Sequence, residues 1–235
     1  MQPKALIFDV FGTLTDWRTS IAREARATLE PLGHRLDWTR FATDWRSEYD
    51  PAMDRIRAGN RGYVPLDDLH AENLVVTARA HGIAAPDPSL ARAWERLDTW
   101  PDVVPGLNAL KYHAIIAPCS NGSIALMTHL ARHAGLPWDC ILGADIARDY
   151  KPKPGVYQAA AAALRLPPEQ VMMVAAHNAD LLVAHECGLQ TAFIPRPTEH
   201  GPDQSIDLVP NGPWTAVAPS LTRLATQLFG TGTDD

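Results

Sequence analysis

Cysteine is scarce in this chain: Cys119, Cys140 and Cys187 are all there is in 235 residues. An odd number of cysteines, this widely spaced, makes neither a disulfide framework nor a metal or redox motif. Cys119 and Cys140 lie in or beside apolar runs and are expected to be buried thiols. No apolar run approaches the roughly 20 residues needed to cross a bilayer. The opening MQPKALIFDVFGT enters a strand pattern with no leader-like stretch before it. No run of Lys or Arg occurs, and 21 basic against 27 acidic residues leave a net charge of −6. These absences argue against nucleic acid and membrane surfaces as general partners, and a cytoplasmic location is expected. Internal repeats and low-complexity segments are missing too.

What remains is an ordinary globular composition, 46% apolar and 20% charged. At this length one domain, or one domain with a sizeable insertion, is expected. Short continuous apolar runs recur at Ala5–Phe11, Ala114–Ser120, Cys140–Ala144, Val171–Ala176 and Thr191–Pro195. Runs of this kind suit strands of a parallel sheet buried on both faces. Helical patterns lie between the later runs: Ser123–Ala134 before Gly135, the alanine-rich Pro154–Leu164, and Asp180–Glu186 before Gly188. This alternation predicts an α/β fold with a doubly wound, Rossmann-like parallel sheet. From about Asp16 to Trp100 there are helical patterns and no convincing strand. The expected division is therefore an α/β core of residues 1–15 and 100–235, with a helical cap of residues 16–99 inserted after the first strand. Gly230–Asp235 is expected to be a loose tail.

Open parallel sheets bind ligands beyond the carboxyl ends of their strands. The polar residues at those ends form a consistent set: Asp9 and Thr13, then Ser120 and Asn121, then Lys151, then Asp180. Asp9 stands out, because a charge inside an apolar strand is costly unless it is paired or functional. Gly12 lets the chain turn sharply beside it, so that backbone N–H groups can keep the carboxylate ionised.

Three segments carry a resemblance. Phe8-Asp9-Val10-Phe11-Gly12-Thr13-Leu14, Cys119-Ser120-Asn121-Gly122-Ser123 and Tyr150-Lys151-Pro152-Lys153-Pro154-Gly155-Val156-Tyr157 resemble the signature motifs of the haloacid dehalogenase superfamily. The form is similar to that of its type II (S)-2-haloacid dehalogenases. The resemblance runs nearly end to end. It implies a hydrolase that converts small 2-haloalkanoic acids to 2-hydroxy acids, inverting at C2, through an ester on Asp9. It implies no cofactor and no metal; a 2-haloacid and a halide would be the small-molecule partners, and a homodimer would be unsurprising.

The resemblance also distributes roles. Asp9 is the nucleophile, Thr13 orients it, Lys151 holds its charge, and Asp180 supports Lys151 or the hydrolytic water. Ser120 and Asn121 receive the substrate carboxylate. Arg46, in Trp45-Arg46-Ser47-Glu48-Tyr49, meets the departing halide, with Arg40 a lower-ranked rival. Phe11, Tyr157, His177 and Asn178 are assigned to the substrate pocket. Phe11 stands where related phosphatases carry a second acid for the leaving alcohol, a proton that a halide does not need. After the fourth strand only Asp180 is available, fewer acidic ligands than a hard cation prefers. Alternatives stay open for several residues: a turn residue at Thr13, a helix cap at Asp180, a solvated Arg46, a packing role for Tyr157 and a purely structural role for His177. His129 and His133 read as helix surface. The departure from the family lies in Ala175 and His177, where many relatives have serine and asparagine. Three rivals stay alive: a strained-ring hydrolase and a phosphatase using the same nucleophile, and a lapsed, purely binding protein, which Ala175 and His177 make conceivable.

Overall fold

The computed structural model describes residues 2–230; the expected tail lies, past Gly230, outside them. The elements run β1 (Ala5–Phe8), β2 (Thr15–Asp16), α1 (Trp17–Leu29), α2 (Trp38–Ser47), α3 (Tyr49–Arg57), α4 (Leu66–Ala80), a 3-10 segment (Pro88–Glu95) and β3 (Asp98–Thr99). The chain continues through α5 (Val103–Lys111), β4 (Ile115–Ser120), α6 (Ile124–Ala134), β5 (Leu142–Gly143), the short α7 (Ala144–Ala147) and α8 (Pro154–Ala163). After a second 3-10 turn come β6 (Val171–Ala175), α9 (Asn178–Glu186), β7 (Gln190–Phe193), β8 (Ala216–Val217) and α10 (Leu221–Phe229).

Among the described residues six strands form one sheet in the order β5-β4-β1-β6-β7-β8, with every neighbouring pair parallel. The expected doubly wound α/β architecture is thus present. From β1 the chain builds outward through β4 and β5, then returns to the other side of β1 through β6. The order reverses between β1 and β6, which makes a crevice at their carboxyl ends. Asp9 follows β1 and His177 to Asp180 follow β6, so both segments open into it.

Alternation along each strand separates two apolar clusters. Leu6, Phe8, Ile116, Met172 and Val174 join one core; Ala5, Ile7, Ala117, Cys119, Val171, Met173 and Ala175 join the other. The first is continuous with the helices between β2 and β3 through Trp17, Phe41, Trp45 and Trp94, each at most 1% exposed. Burying a large apolar side chain contributes roughly 1.5–3 kcal/mol, so this shared core fastens the helical layer over the crevice. β2 pairs antiparallel with β3 at the layer's two ends, Thr15 opposite Thr99. The expected cysteine burial is mixed: Cys119 is buried and Cys140 only half-buried. No helix of the described residues is long and apolar enough to cross a membrane.

At Gly143, between β5 and α7, φ is +118°, and a Cβ would lie 2.2 Å from the Ser120 carbonyl oxygen and 2.7 Å from its nitrogen. Gly143→Ala should cost about 2 kcal/mol or more, from strain plus the separation of β5 from β4. Gly155→Ala, where nothing lies within 4 Å, should be neutral within about 0.5 kcal/mol. Urea denaturation of the two variants checks the contrast.

Candidate active site

The loop after β1 folds back on itself, with the Leu14 and Thr15 amides donating to the Val10 carbonyl at 2.9 and 3.2 Å. This turns Asp9 upward into the crevice, 8% exposed. Its two carboxylate oxygens have different partners. Oδ1 accepts from Lys151 Nζ at 2.9 Å. Oδ2 accepts from the Thr13 hydroxyl at 2.7 Å and faces His177 Nδ1 at 3.2 Å. Burial by itself would raise the Asp9 carboxyl, but the Lys151 charge, then His177 and Thr13, hold it well below the usual carboxylate range.

Lys151 Nζ also reaches Asp180 Oδ2, at 2.6 Å, and the Tyr157 hydroxyl donates to Asp180 Oδ1. Burial, assisted by the Asp9 charge, keeps the Asp180 carboxyl above its ordinary range against the pull of Lys151. Burial opposes the Lys151 charge, and the two carboxylates outweigh that by raising its pKa. Asn121 Oδ1 accepts the Lys151 backbone amide at 2.8 Å, which joins the loop after β4 to the lysine loop.

Above these groups is a pocket of about 290 Å³. Its lower wall is Asp9, Asn121, Lys151, His177 and Asp180; Phe11, Arg46, Tyr49 and Arg57 line it too, and Glu199, His200 and Ile206 close one side. Arg46 lies with its guanidinium carbon 3.9 Å from the Tyr49 ring centroid, and its buried Nε–H has no partner among the described residues. Arg57 donates to the Lys151 carbonyl, and its Nε–H is likewise buried and unpartnered. Arg40 points away, paired with Asp44 at 2.8 Å and 69% exposed at the side chain. His129 and His133 lie exposed on α6.

Three residues expected against substrate are set back from the pocket wall. Ser120 is fully buried, its Oγ accepting the Gly122 amide at 3.0 Å. Tyr157 lies beneath Asp180, held by their hydrogen bond. Asn178 is a plain correction. Its side chain donates to Asp207 and the Val209 carbonyl and accepts from the Asn211 amide and Trp214 Nε1, which fastens the C-terminal loop. Asn178 begins α9, and two residues along a helix turn a side chain by about 200°. With Asp180 facing the pocket, Asn178 faces away.

Glu199, Trp17 and Arg57 join the site without having been singled out in the sequence. Glu199 is 2% exposed; its Oε2 meets His177 Nε2 at 2.9 Å and its Oε1 accepts from Trp17 Nε1 at 3.0 Å. Burial would raise the Glu199 carboxyl, yet the His177 charge holds it low. Burial would likewise lower His177, but the Glu199 and Asp9 carboxylates raise it well above the ordinary histidine value. Glu199 can come this close because Gly12 has no side chain: a Cβ there would lie 2.0 Å from Glu199 Oε1. Arg196 holds the same loop, donating to the Thr13 carbonyl at 2.8 Å and forking onto Asp102 at 2.7 and 3.0 Å. A charged residue six positions past the end of β7 was the available signal for Glu199.

The donor set does not suit a hard cation. An ammonium already stands between Asp9 and Asp180, and the residues before Asp180 add Ala175, Ala176 and His177 rather than carboxylates. His177, Glu199 and His200 have ligand atoms within 4.8 Å of one another, but Glu199 is already committed to the Trp17 and His177 N–H groups.

A family model described as haloacid dehalogenase-like hydrolase matches residues 3–188. The crystal structure of a defluorinating L-2-haloacid dehalogenase superposes with a TM-score of 0.94 at 48% identity, over 96% of this chain and 95% of that one. A second L-2-haloacid dehalogenase structure gives 0.94 at 45% identity, over 97% and 100%. The (S)-2-haloacid dehalogenase of Xanthobacter autotrophicus is 29% identical over 201 residues, 82% of this chain and 75% of that protein.

Removing the central ammonium should expose its importance. Lys151→Met leaves two buried carboxylates facing each other and should cost about 3–5 kcal/mol near neutral pH. Without the ammonium the Asp180 carboxyl, already raised by burial and by the Asp9 charge, binds a proton more readily folded than unfolded, so stability lost at neutral pH returns as pH falls. The gap to wild type in urea midpoint should therefore narrow between about pH 7.5 and about pH 5.

Proposed function

Because the chain belongs to the haloacid dehalogenase-like hydrolases, we propose that it hydrolyses small 2-haloalkanoic acids to 2-hydroxy acids, with Asp9 as nucleophile and without a metal. One observation carries the reading. An ionised carboxylate, gripped at one oxygen by Lys151 and at the other by Thr13 and His177, opens into a small pocket lined by two arginines.

A carboxylate held this way is a competent nucleophile. It attacks C2 from the side opposite the halogen, forming an ester to Asp9 while the carbon–halogen bond breaks. The halide leaves as an anion and needs no proton, in keeping with Phe11 at the position where related phosphatases have an acid. Arg46 meets the growing negative charge; its buried, unpartnered N–H costs little to redirect and gains a charge-assisted bond. Arg57 gives the pocket a second such group. Asn121, with Ser120 behind it, is assigned the substrate carboxylate. Phe11, Tyr49 and Ile206 in the wall restrict the acid to a short chain.

Water then attacks the ester carbonyl, releasing the hydroxy acid and regenerating Asp9. Only the first step touches C2, so configuration inverts. Lys151 keeps Asp9 ionised and Asp180 holds Lys151. The lysine's position between the two carboxylates also supports a metal-free reaction. The Xanthobacter relative and the two solved structures, by their names 2-haloacid dehalogenases, support the substrate class. One of the latter is a defluorinating enzyme, which brings fluoroacetate into the assay.

The test is halide release from chloroacetate, fluoroacetate and both enantiomers of 2-chloropropionate, with and without EDTA. Release should survive EDTA, favour the (S) enantiomer and yield the (R)-2-hydroxy acid. Asp9→Asn should lower the rate by roughly 10⁴-fold or more, and Arg46→Met should lower kcat by about 10²–10³-fold. No release from any of the acids by folded protein would reject the assignment.

A further inference from the structure

Hydrolysis of the ester needs a base to activate water, and His177, one of the two residues that depart from the family pattern, lies directly against Asp9. We propose that His177 is that base, and that Glu199 and Trp17 are its positioning residues. The proposal rests on Asp9 being the alkylated nucleophile.

The His177 ring stands between two carboxylates. Nε2 is tied to Glu199 Oε2 at 2.9 Å, and Glu199 is fixed in turn by Trp17 Nε1 at 3.0 Å. Nδ1 is directed at Asp9 Oδ2, 3.2 Å away, and the ring lines the pocket. A base oriented through its far nitrogen by a buried acid, with its near nitrogen at the reacting group, is the arrangement that activates water or a hydroxyl elsewhere. Asp180 is worse placed. Its two oxygens are engaged by Lys151 and Tyr157, and withdrawing from Lys151 would undo the charge balance around Asp9.

The proton inventory closes. At rest His177 is protonated and donates to ionised Asp9. Alkylation consumes the Asp9 charge, and His177 releases its proton to solvent, the one proton that the overall reaction sets free with the halide. Neutral His177 keeps Nε2–H on Glu199 and takes a proton at Nδ1 from water as the water oxygen bonds to the Asp9 carboxyl carbon. The tetrahedral species collapses with cleavage of the bond between the Asp9 carboxyl carbon and the alkyl-bearing oxygen, and the departing alkoxide takes the proton from His177. The Asp9 carboxyl then gives its remaining proton to His177, restoring the resting pair.

The experiment compares wild type, His177→Gln and Glu199→Gln with excess (S)-2-chloropropionate, following free halide and intact-protein mass. His177→Gln should release about one halide per chain and then stall. It should carry the acyl-linked alkyl acid on the peptide containing Asp9, with steady turnover down by roughly 10²–10⁴-fold. Glu199→Gln should accumulate the same adduct to a lesser extent. Adduct formation requires a folded, alkylating site, so the stall is not a folding defect. Sustained wild-type turnover by His177→Gln without adduct overturns the proposal, as does a folded His177→Gln that forms no adduct and releases no halide. If His177→Gln does not fold, Glu199→Gln decides by the same readout: adduct supports the proposal, and wild-type turnover without adduct overturns it. Wild type that releases no halide rejects the Asp9 reading itself.

Discussion

One ammonium between two buried carboxylates sets the terms for the rest of the molecule. Asp9 and Asp180 could not share a crevice in ionised form without Lys151, which lies 2.9 and 2.6 Å from them. The arrangement depends on topology. β1 and β6 must be neighbours to bring the two acids together, and the connection from β5 must return across their carboxyl ends to deliver the lysine. The strand order β5-β4-β1-β6-β7-β8 does both. Asn121 on the Lys151 amide and Tyr157 on Asp180 then fix what the strands deliver.

Three regions divide the work. The sheet ends hold the charges that must not move. The helical layer, sharing the core through Trp17, Trp45 and Trp94, brings Arg46 and Arg57 to the pocket with buried N–H groups that lack partners among the described residues. Such groups are costly to leave unmade, and an anion in the pocket would relieve that cost. The C-terminal loop, held to the Thr13 carbonyl and Asp102 by Arg196, supplies Glu199 through the gap that Gly12 leaves. The sheet ends thus contribute two carboxylates, the lysine between them and a histidine; the helical layer contributes two arginines, and the C-terminal loop the carboxylate that holds the histidine.

The sheet was legible in the sequence because strands buried on both faces leave unbroken apolar runs, and five of the six declare themselves that way. β8 and the β2–β3 pair are two residues long each and leave no pattern to read. Asp9 was visible for the opposite reason, as a charge inside an apolar run; Lys151 and Asp180 follow later runs, and the motif resemblance singles them out. Arg57 was not, since an arginine on an amphipathic helix looks the same whether it meets solvent or a pocket. Glu199 depends on the approach of a loop to Gly12, which no local pattern encodes. The assignment of Asn178 to the pocket failed because proximity in sequence to Asp180 ignored the helix that begins there and turns the two side chains apart.

The most direct measurement is a single turnover in ¹⁸O-labelled water with enzyme in excess over a 2-haloacid, followed by mass analysis of enzyme and product. If Asp9 is the nucleophile, the first hydroxy acid carries an unlabelled oxygen taken from Asp9, and the label appears in the peptide containing Asp9. Label in the product of the first turnover, with none in that peptide, would mean that water attacks C2 directly and that Asp9 is not the nucleophile.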